Sequence, residues 1–169
     1  FSGQKTLGLI DLWVSYTLGQ NNYNFEDFTP TEFPNNIDVT HQVKWALNTE
    51  IKQVKLSLGG QWHSGLPYTG TTGMLNTNEL GAFIPEYREP NALRLSPYFR
   101  LDFATEYRWW SASNTLYQIN LGLLNLTDQE NILGRRFRGG LNATGSPELS
   151  TIDTFSLGFT PNIAFKIAW

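Results

Sequence analysis

Four charged residues that could guide or bind a solute share one side of the segment 98–110, in which apolar and polar residues alternate. They are Arg100, Asp102, Glu106 and Arg108. Such a stripe could line a solute path, or its members could neutralise one another across neighbouring strands. We favour mutual pairing, and we expect Lys44, Lys55 and Lys166 to belong to the same network.

A second group of cations lies in the segment GRRFRGG, which places Arg135, Arg136 and Arg138 between glycines. Guanidinium groups suit phosphate and carboxylate, to which they donate paired hydrogen bonds. The segment could therefore grip an anionic ligand or a protein partner, it could bind lipid phosphates, or it could have no specific role. The sequence leaves these alternatives open.

The segment 21–38 has the opposite charge, because it contains four acidic residues and no basic one. The acids are Glu26, Asp27, Glu32 and Asp38. Four aromatic residues interleave with them: Tyr23, Phe25, Phe28 and Phe33. Long connections are often functional, and this surface could bind a partner.

Residues that usually perform catalysis or hold metals are sparse. Cysteine is absent, and His41 and His63 fall on different predicted strands with no carboxylate at a ligand spacing. Ser64 follows His63 directly, and adjacent strand residues point to opposite faces. We therefore expect no enzymatic activity, no metal and no cofactor. The net charge of −3 indicates no attraction to nucleic acid.

The elements that position these residues are strands, because strict two-residue alternation dominates the chain. From 155 to 169 every odd position is apolar, and every even position is small or polar. The same pattern predicts strands over 12–18, 43–47, 54–62, 98–110 and 117–126. The last of these loses its register at Leu124, where we expect a β-bulge. The sequence thus predicts an all-β chain.

The connections between these strands alternate in length. Residues 21–38, 66–95 and 128–153 are long and rich in Gly, Pro and Asn, whereas 50–53 and 111–115 are short. Bacterial outer-membrane barrels have long extracellular loops and short periplasmic turns. A soluble sandwich gives no reason for every second loop to be long. The pattern therefore favours a transmembrane antiparallel β-barrel.

If the long connections are extracellular and the short ones periplasmic, the two ends of the strands should carry two aromatic girdles, and the barrel interior should be polar. The periplasmic girdle would contain Tyr107, Trp109, Trp110 and Trp169. The opposite girdle would contain Tyr16, Trp62, Phe99 and Phe155. The candidates for the lumen-facing side are Arg100, Asp102, Glu106, Arg108, His63 and Lys166.

Three segments carry a family resemblance: RLSPYFRLDFATEYRWW, YQINLGLLNLTDQENIL and SLGFTPNIAFKIAW. They resemble the closing strands of TonB-dependent outer-membrane receptors, of the Bacteroidetes type with a carboxypeptidase-regulatory-like N-terminal domain. WVSYTLGQ, DVTHQVKWAL and SLGGQWHSGLPYT resemble the preceding strands. The resemblance implies that residues 1–169 are the C-terminal segment of a barrel of about 22 strands, of which they supply the last ~6.

The resemblance also implies parts beyond these residues, namely the remaining strands, a plug inside the barrel and an N-terminal part that contacts TonB. Neither an initiator Met nor a signal peptide is present, and residues near Asp11 to Trp13 are expected to be absent relative to the family. Phe165, Ile167 and Trp169 match the terminal signal that the barrel-assembly machinery recognises. We expect Trp169 to be the native C-terminus.

The function that the resemblance implies is uptake of a solute across the bacterial outer membrane, with energy relayed by TonB. The charged stripe could then contact the plug. The alternative is a structural or scaffolding barrel in a larger outer-membrane complex, and a soluble sugar-binding sandwich is the third possibility. The expected partners are outer-membrane lipid, lipopolysaccharide, TonB, the barrel-assembly machinery and a surface lipoprotein that the arginine segment could bind.

Overall fold

The computed structural model describes residues 1–169 and consists of fifteen strands without a helix. In chain order they are β1 (Ser2–Leu7), β2 (Ile10–Leu18), β3 (Asn22–Asn24), β4 (Glu32–Pro34), β5 (His41–Ile51), β6 (Val54–His63), β7 (Pro67–Tyr68), β8 (Thr71–Thr77), β9 (Phe83–Tyr87), β10 (Leu93–Arg94), β11 (Tyr98–Trp110), β12 (Leu116–Leu124), β13 (Ile132–Leu141), β14 (Pro147–Phe155) and β15 (Thr160–Ala168). The predicted all-β class is confirmed. No helix is long and apolar enough to cross a membrane.

Seven strands form one sheet in the order β1-β2-β5-β6-β11-β12-β15, and every neighbouring pair is antiparallel. The strands follow chain order, so the sheet is a meander in which each connection returns directly to the neighbouring strand. The other eight strands form four short pairs inside the long connections: β3–β4, β7–β10, β8–β9 and β13–β14. All three long connections leave the same end of the sheet.

The register places apolar residues of every strand on one face, called here the apolar face. One row across the sheet runs Leu12, Leu47, Leu58, Phe103, Leu123 and Pro161. A second row runs Tyr16, Val43, Trp62 and Phe99. The opposite, polar face holds the charged stripe. A one-residue slip in any pair would exchange the two faces, so the hydrophobic pattern fixes the register.

Buried residues are rare, because the sheet is a single layer. Only ten of 169 residues are buried, and all of them lie in the long connections or at the adjoining strand end. The buried apolar side chains are Phe33, Leu95 and Tyr98. Neither face of the sheet is therefore covered by another part of this chain.

Each of the six predicted strands corresponds to a strand of the sheet, but their details differ. β1 was not predicted; it joins β2 through a tight turn at Gly8 and Leu9, where Gly8 has a φ of 64°. Gly at this position suits a two-residue hairpin turn. β2 runs through residues 11–13 without a register shift against β1 or β5.

Two expectations near the end of the chain are wrong. No bulge occurs at Leu124, which pairs in regular register with Thr160; β12 ends there because Asn125 adopts a φ of 52°. The predicted strand 155–169 is also interrupted. Phe155 ends β14 and Thr160 begins β15, so the alternating pattern spans two strands that belong to different sheets.

Candidate functional site

The charged stripe on the polar face is internally neutralised. Arg100 Nη2 lies 2.9 Å from Asp102 Oδ2 on the same strand. Arg108 lies 2.8 Å from Glu106 and 3.0 Å from Glu50. All four residues of the stripe therefore form ion pairs, but not in the predicted way across neighbouring strands: two pairs lie within β11, and the third reaches Glu50 on β5, beyond the neighbouring strand β6.

The three lysines expected in this network form no ion pair, so that part of the prediction is wrong. Lys55 lies in register with both Glu50 and Glu106, but Arg108 takes both carboxylates. Lys44 lies opposite Gln61, and Lys166 lies opposite Gln118. The polar face therefore carries both positive and negative charges. Among its cations, Arg100 and Arg108 are paired with carboxylates, whereas the three lysines are not.

A shallow cleft of about 310 Å³ crosses the middle of the polar face. Ala104 and Gly122 face each other across β11 and β12, and their small size leaves room beside the longer side chains of Lys55 and Glu106 in the next row. Two residues of the lining are held by Gln118, whose Nε2 donates to Glu106 at 2.9 Å and to Asn120 at 3.0 Å. The cleft is thus an open depression whose lining mixes small side chains such as Ala104 with polar ones such as Asn162.

The histidines lie on opposite faces of the sheet. His63 lies on the polar face, where its ring stacks on Tyr98 at 4.8 Å and its Nδ1 donates to the Ser64 carbonyl at 2.8 Å. His41 lies on the other face, with Nδ1 2.8 Å from the hydroxyl of Tyr16. The two rings thus serve local packing and do not approach a common point.

The three arginines of GRRFRGG divide between the two faces of β13. Arg135 donates from Nε and Nη2 to the two carboxylate oxygens of Asp153, both at 2.7 Å, and lies 5.5 Å from the ring centre of Tyr68. Arg136 and Arg138 lie on the opposite face, are exposed, and form neither ion pairs nor side-chain hydrogen bonds. Arg135 therefore holds the hairpin together by its bonds to Asp153, whereas Arg136 and Arg138 have no counter-ion.

The paired hydrogen bonds set the charge state of this hairpin. Donation from Arg135 lowers the pKa of Asp153 below its ordinary value, because it stabilises the carboxylate. The same hydrogen bonds, with a contribution from Tyr68, raise the pKa of Arg135. Both groups are consequently charged at neutral pH.

An ion pair between a buried carboxylate and a partly exposed guanidinium joins the first two long connections. The sequence did not reveal this pair. The carboxylate of Asp38, which is 2% exposed, pairs with Arg94 and accepts the backbone N–H of Asn21 at 2.7 Å. Arg94 also donates to the carbonyl oxygens of Asp38 at 3.0 Å and Gly65 at 3.1 Å. Beside it, Asn91 Nδ2 donates to Pro34 O at 2.8 Å and Asn36 Oδ1 at 2.6 Å.

Two buried asparagines fasten the third long connection. Asn131 bonds both backbone groups of Phe99, accepting from N at 2.9 Å and donating to O at 2.8 Å. Asn125 donates to Gln129 O at 3.0 Å and Leu157 O at 3.1 Å. The signal was present in NLTDQEN, because Asn readily adopts a left-handed turn and bonds nearby backbone. The three connections therefore form one packed body at one end of the sheet.

Aromatic residues cluster in the first connection and at the two ends of the apolar face. Tyr23, Phe25, Phe28 and Phe33 pack with ring centres 5.4–6.0 Å apart. At the short-turn end Trp109 stacks on Tyr107 at 5.4 Å and on Tyr117 at 5.3 Å. The predicted terminal-signal residues Phe165 and Ile167 lie exposed on the apolar face, and Trp169 is exposed beyond β15.

The geometry offers a polar sheet face that could contact a solute, and a body of connections that could receive one. No His, Asp and Glu side chains cluster in a group that could hold a metal ion. No family model, curated protein or solved structure matches the chain.

Proposed function

We propose that this chain is part of the wall of a transmembrane β-barrel in the bacterial outer membrane. The observation that carries the proposal is the uncovered apolar face of a single-layer sheet. Monomeric soluble proteins rarely expose apolar patches larger than a few hundred Å². Here Ile119, Ile163 and Phe165 are among the large apolar side chains exposed in the sheet. Such a face requires an apolar environment.

The aromatic rows favour lipid over a second protein sheet as that environment. From Phe99 to Trp109, β11 rises by roughly 33 Å at about 3.3 Å per residue. A strand tilt of about 40° reduces this to a height of roughly 25 Å, which matches the apolar band of outer-membrane barrels. Tyrosine and tryptophan at both limits of the band suit the two membrane interfaces.

Within this barrel, we propose TonB-dependent uptake of a solute as the activity. The polar face would line the interior, with Arg100, Asp102, Glu106, Arg108, His63 and Lys166 directed to the lumen. The connections would form the outer, ligand-receiving surface. The resemblance of the strand sequences to TonB-dependent receptors supports this choice. A scaffolding barrel without transport is the alternative, because the wall itself carries no evidence of a plug.

Two experiments test the membrane barrel and the transport activity separately. We expect the protein to sediment with outer membranes and to require detergent for extraction. Recovery in the aqueous fraction without detergent would overturn the barrel. Sequencing the whole gene tests transport, since a transporter requires an upstream plug and a TonB-contacting segment. A barrel gene without them would leave the scaffolding role.

A further inference from the structure

The three long connections border a cleft of about 440 Å³ that lies outside the sheet. Its wall is formed by residue 36, by residues 66–69 with 87, 91 and 95, and by residues 133–137. The volume falls within the range of small-molecule sites, about 300–1,000 Å³. An apolar cavity of about 150 Å³ is already large enough to hold benzene. The cleft therefore has room for a ligand with at least one ring.

Three aromatic rings meet at this cleft. The ring centre of Phe137 lies 6.4 Å from that of Tyr68 and 6.4 Å from that of Tyr87. The plane of Phe137 is tilted by 32° from the plane of Tyr68 and by 69° from that of Tyr87, which remains 50% exposed. Aromatic rings prefer offset or edge-to-face contacts. A further flat ring can therefore pack on the open surface of Tyr87 in the same manner.

The amide groups of the cleft are largely used by the fold itself. Asn91, which is 7% exposed, donates from Nδ2 to Pro34 O at 2.8 Å and to Asn36 Oδ1 at 2.6 Å. Its backbone N–H donates to Thr69 Oγ1 at 3.0 Å, and its Oδ1 accepts from the same hydroxyl at 3.4 Å. A ligand with many hydroxyl groups, such as a sugar, would find few free partners there, and a buried hydroxyl without a hydrogen bond is unfavourable.

The side of the cleft that carries the rings has no free charge. Arg135 shares one face of β13 with Phe137, and it donates to both carboxylate oxygens of Asp153. Arg136 lies on the opposite face of the strand, because side chains alternate. No acidic side chain lines the cleft. A charged ligand would lose hydration here without gaining a counter-ion, so the cleft favours an uncharged one.

We propose that this cleft binds an uncharged ligand through a flat aromatic ring. Tyr87 supplies the contact surface for that ring, and Phe137 supports Tyr87 from the side. Asp153 keeps the cleft neutral by pairing with Arg135. As a statement about the transported solute, the proposal rests on the proposed function; as a statement about binding, it stands on the cleft alone.

The test uses the full chain in detergent micelles and para-fluorobenzyl alcohol as the probe, with fluorine NMR to follow binding. Micelles without protein provide the reference for partition of the probe into detergent. We expect para-fluorobenzoate, which has the same ring and a negative charge, to bind about tenfold more weakly. Methyl glucoside should not displace the alcohol. Equal binding of alcohol and benzoate, displacement by methyl glucoside, or no binding above the micelle reference would overturn the proposal.

A matched pair of variants distinguishes the cleft from exposed rings in general. Tyr87 and Phe28 belong to the connections and are 50% and 48% exposed, but only Tyr87 lines the cleft. We expect Tyr87→Leu to weaken binding of the alcohol about fivefold through the loss of one aromatic contact, and Phe28→Leu to leave it unchanged. Equal losses in the two variants would overturn the site.

A third variant tests the neutrality of the cleft. Asp153→Asn leaves Arg135 without its counter-ion beside the rings. We expect this variant to bind para-fluorobenzoate about tenfold more tightly than the wild type does, with binding of the alcohol unchanged. Hydrogen exchange of β13 and β14 establishes that the hairpin is folded, and the Tyr87→Leu comparison decides alone if it is not. A folded variant without the gain would overturn the selection for uncharged ligands.

Binding in micelles is measured independently of membrane fractionation. Outer-membrane recovery without binding of para-fluorobenzyl alcohol would overturn the cleft alone. Binding without outer-membrane recovery would overturn the barrel alone.

Discussion

The indole ring of Trp45 lies flat against Gly60 across the β5–β6 pair. A Cβ atom added at Gly60 would lie 2.5 Å from both Cε2 and Nε1 of that ring. The two residues are opposite each other in the register on the apolar face. An aromatic ring over a cross-strand glycine covers the backbone that the missing side chain would leave bare, and this arrangement stabilises sheets.

Gly60→Ala should therefore displace Trp45 without disrupting the sheet. The atoms in the way belong to the end of a side chain that can rotate outward, so we expect a cost of about 1 kcal/mol, at the lower limit for overpacking. Equilibrium unfolding in micelles measures the cost. Gly59→Ala is the control, because its nearest neighbour is Trp45 O at an ordinary 3.7 Å. A loss of the folded state in Gly60→Ala would contradict a movable ring.

Gly65→Ala should be far more damaging, although it lies outside the sheet. The added Cβ would fall 1.7 Å from the backbone oxygen of Leu95. Backbone cannot rotate away as a side chain can, so the two segments must separate. We expect a loss of about 3 kcal/mol, which is at the upper limit of overpacking. Limited proteolysis of the connections should detect it, while the sheet remains resistant; unchanged protease resistance would contradict this packing.

Arg94→Gln should loosen the first two connections together. The substitution leaves the carboxylate of Asp38 buried, with the backbone N–H of Asn21 as its remaining partner. Because Arg94 itself is partly exposed, solvent screens the pair, and we expect a cost of about 2 kcal/mol, within the range for a buried group that loses its partner. We expect faster hydrogen exchange in residues 19–40 and 65–95. Adding Asp38→Asn should recover part of the loss, because the uncompensated charge disappears; an additive double variant would contradict a direct pair.

The sequence predicted the sheet better than the connections for a physical reason. Alternation with a period of two is local, so Leu12 and Ile163 identify their faces from their own neighbours. The Arg94–Asp38 and Asn91–Asn36 contacts join residues 56 and 55 positions apart, and no local pattern encodes them. Arg135 and Arg136 lie on opposite faces of β13 because side chains alternate along a strand. The sequence did not predict β13, because the glycines at both ends of GRRFRGG favoured a loop.

The Arg135–Asp153 pair should make the β13–β14 hairpin sensitive to acid. Because the folded state lowers the pKa of Asp153, the pair stabilises the hairpin above the unfolded pKa of about 3.9. This contribution is lost as the pH falls through the lower, folded value. The stability difference between the wild type and Asp153→Asn should therefore be constant above about pH 5 and vanish in stronger acid. If the stability difference between the wild type and Asp153→Asn instead grew on acidification, the folded state would have to raise the pKa of Asp153, which would contradict the ion pair.

Adjacent residues of β15 offer the most direct test of which face meets lipid. Ile163 lies on the apolar face opposite Leu121 and is 75% exposed, whereas Asn162 lies on the polar face opposite Gly122. Arginine at the lipid-facing midplane of a membrane barrel costs about 2–4 kcal/mol, whereas lumen substitutions are tolerated. We expect Ile163→Arg to reduce folding into lipid vesicles by that amount and Asn162→Arg to have little effect. Quenching by brominated lipid chains provides the second measurement: it should affect tryptophans on the apolar face, such as Trp62, and spare Trp13 on the polar face. Equal tolerance of arginine at both positions, or quenching of both tryptophans, would contradict a lipid-facing apolar surface.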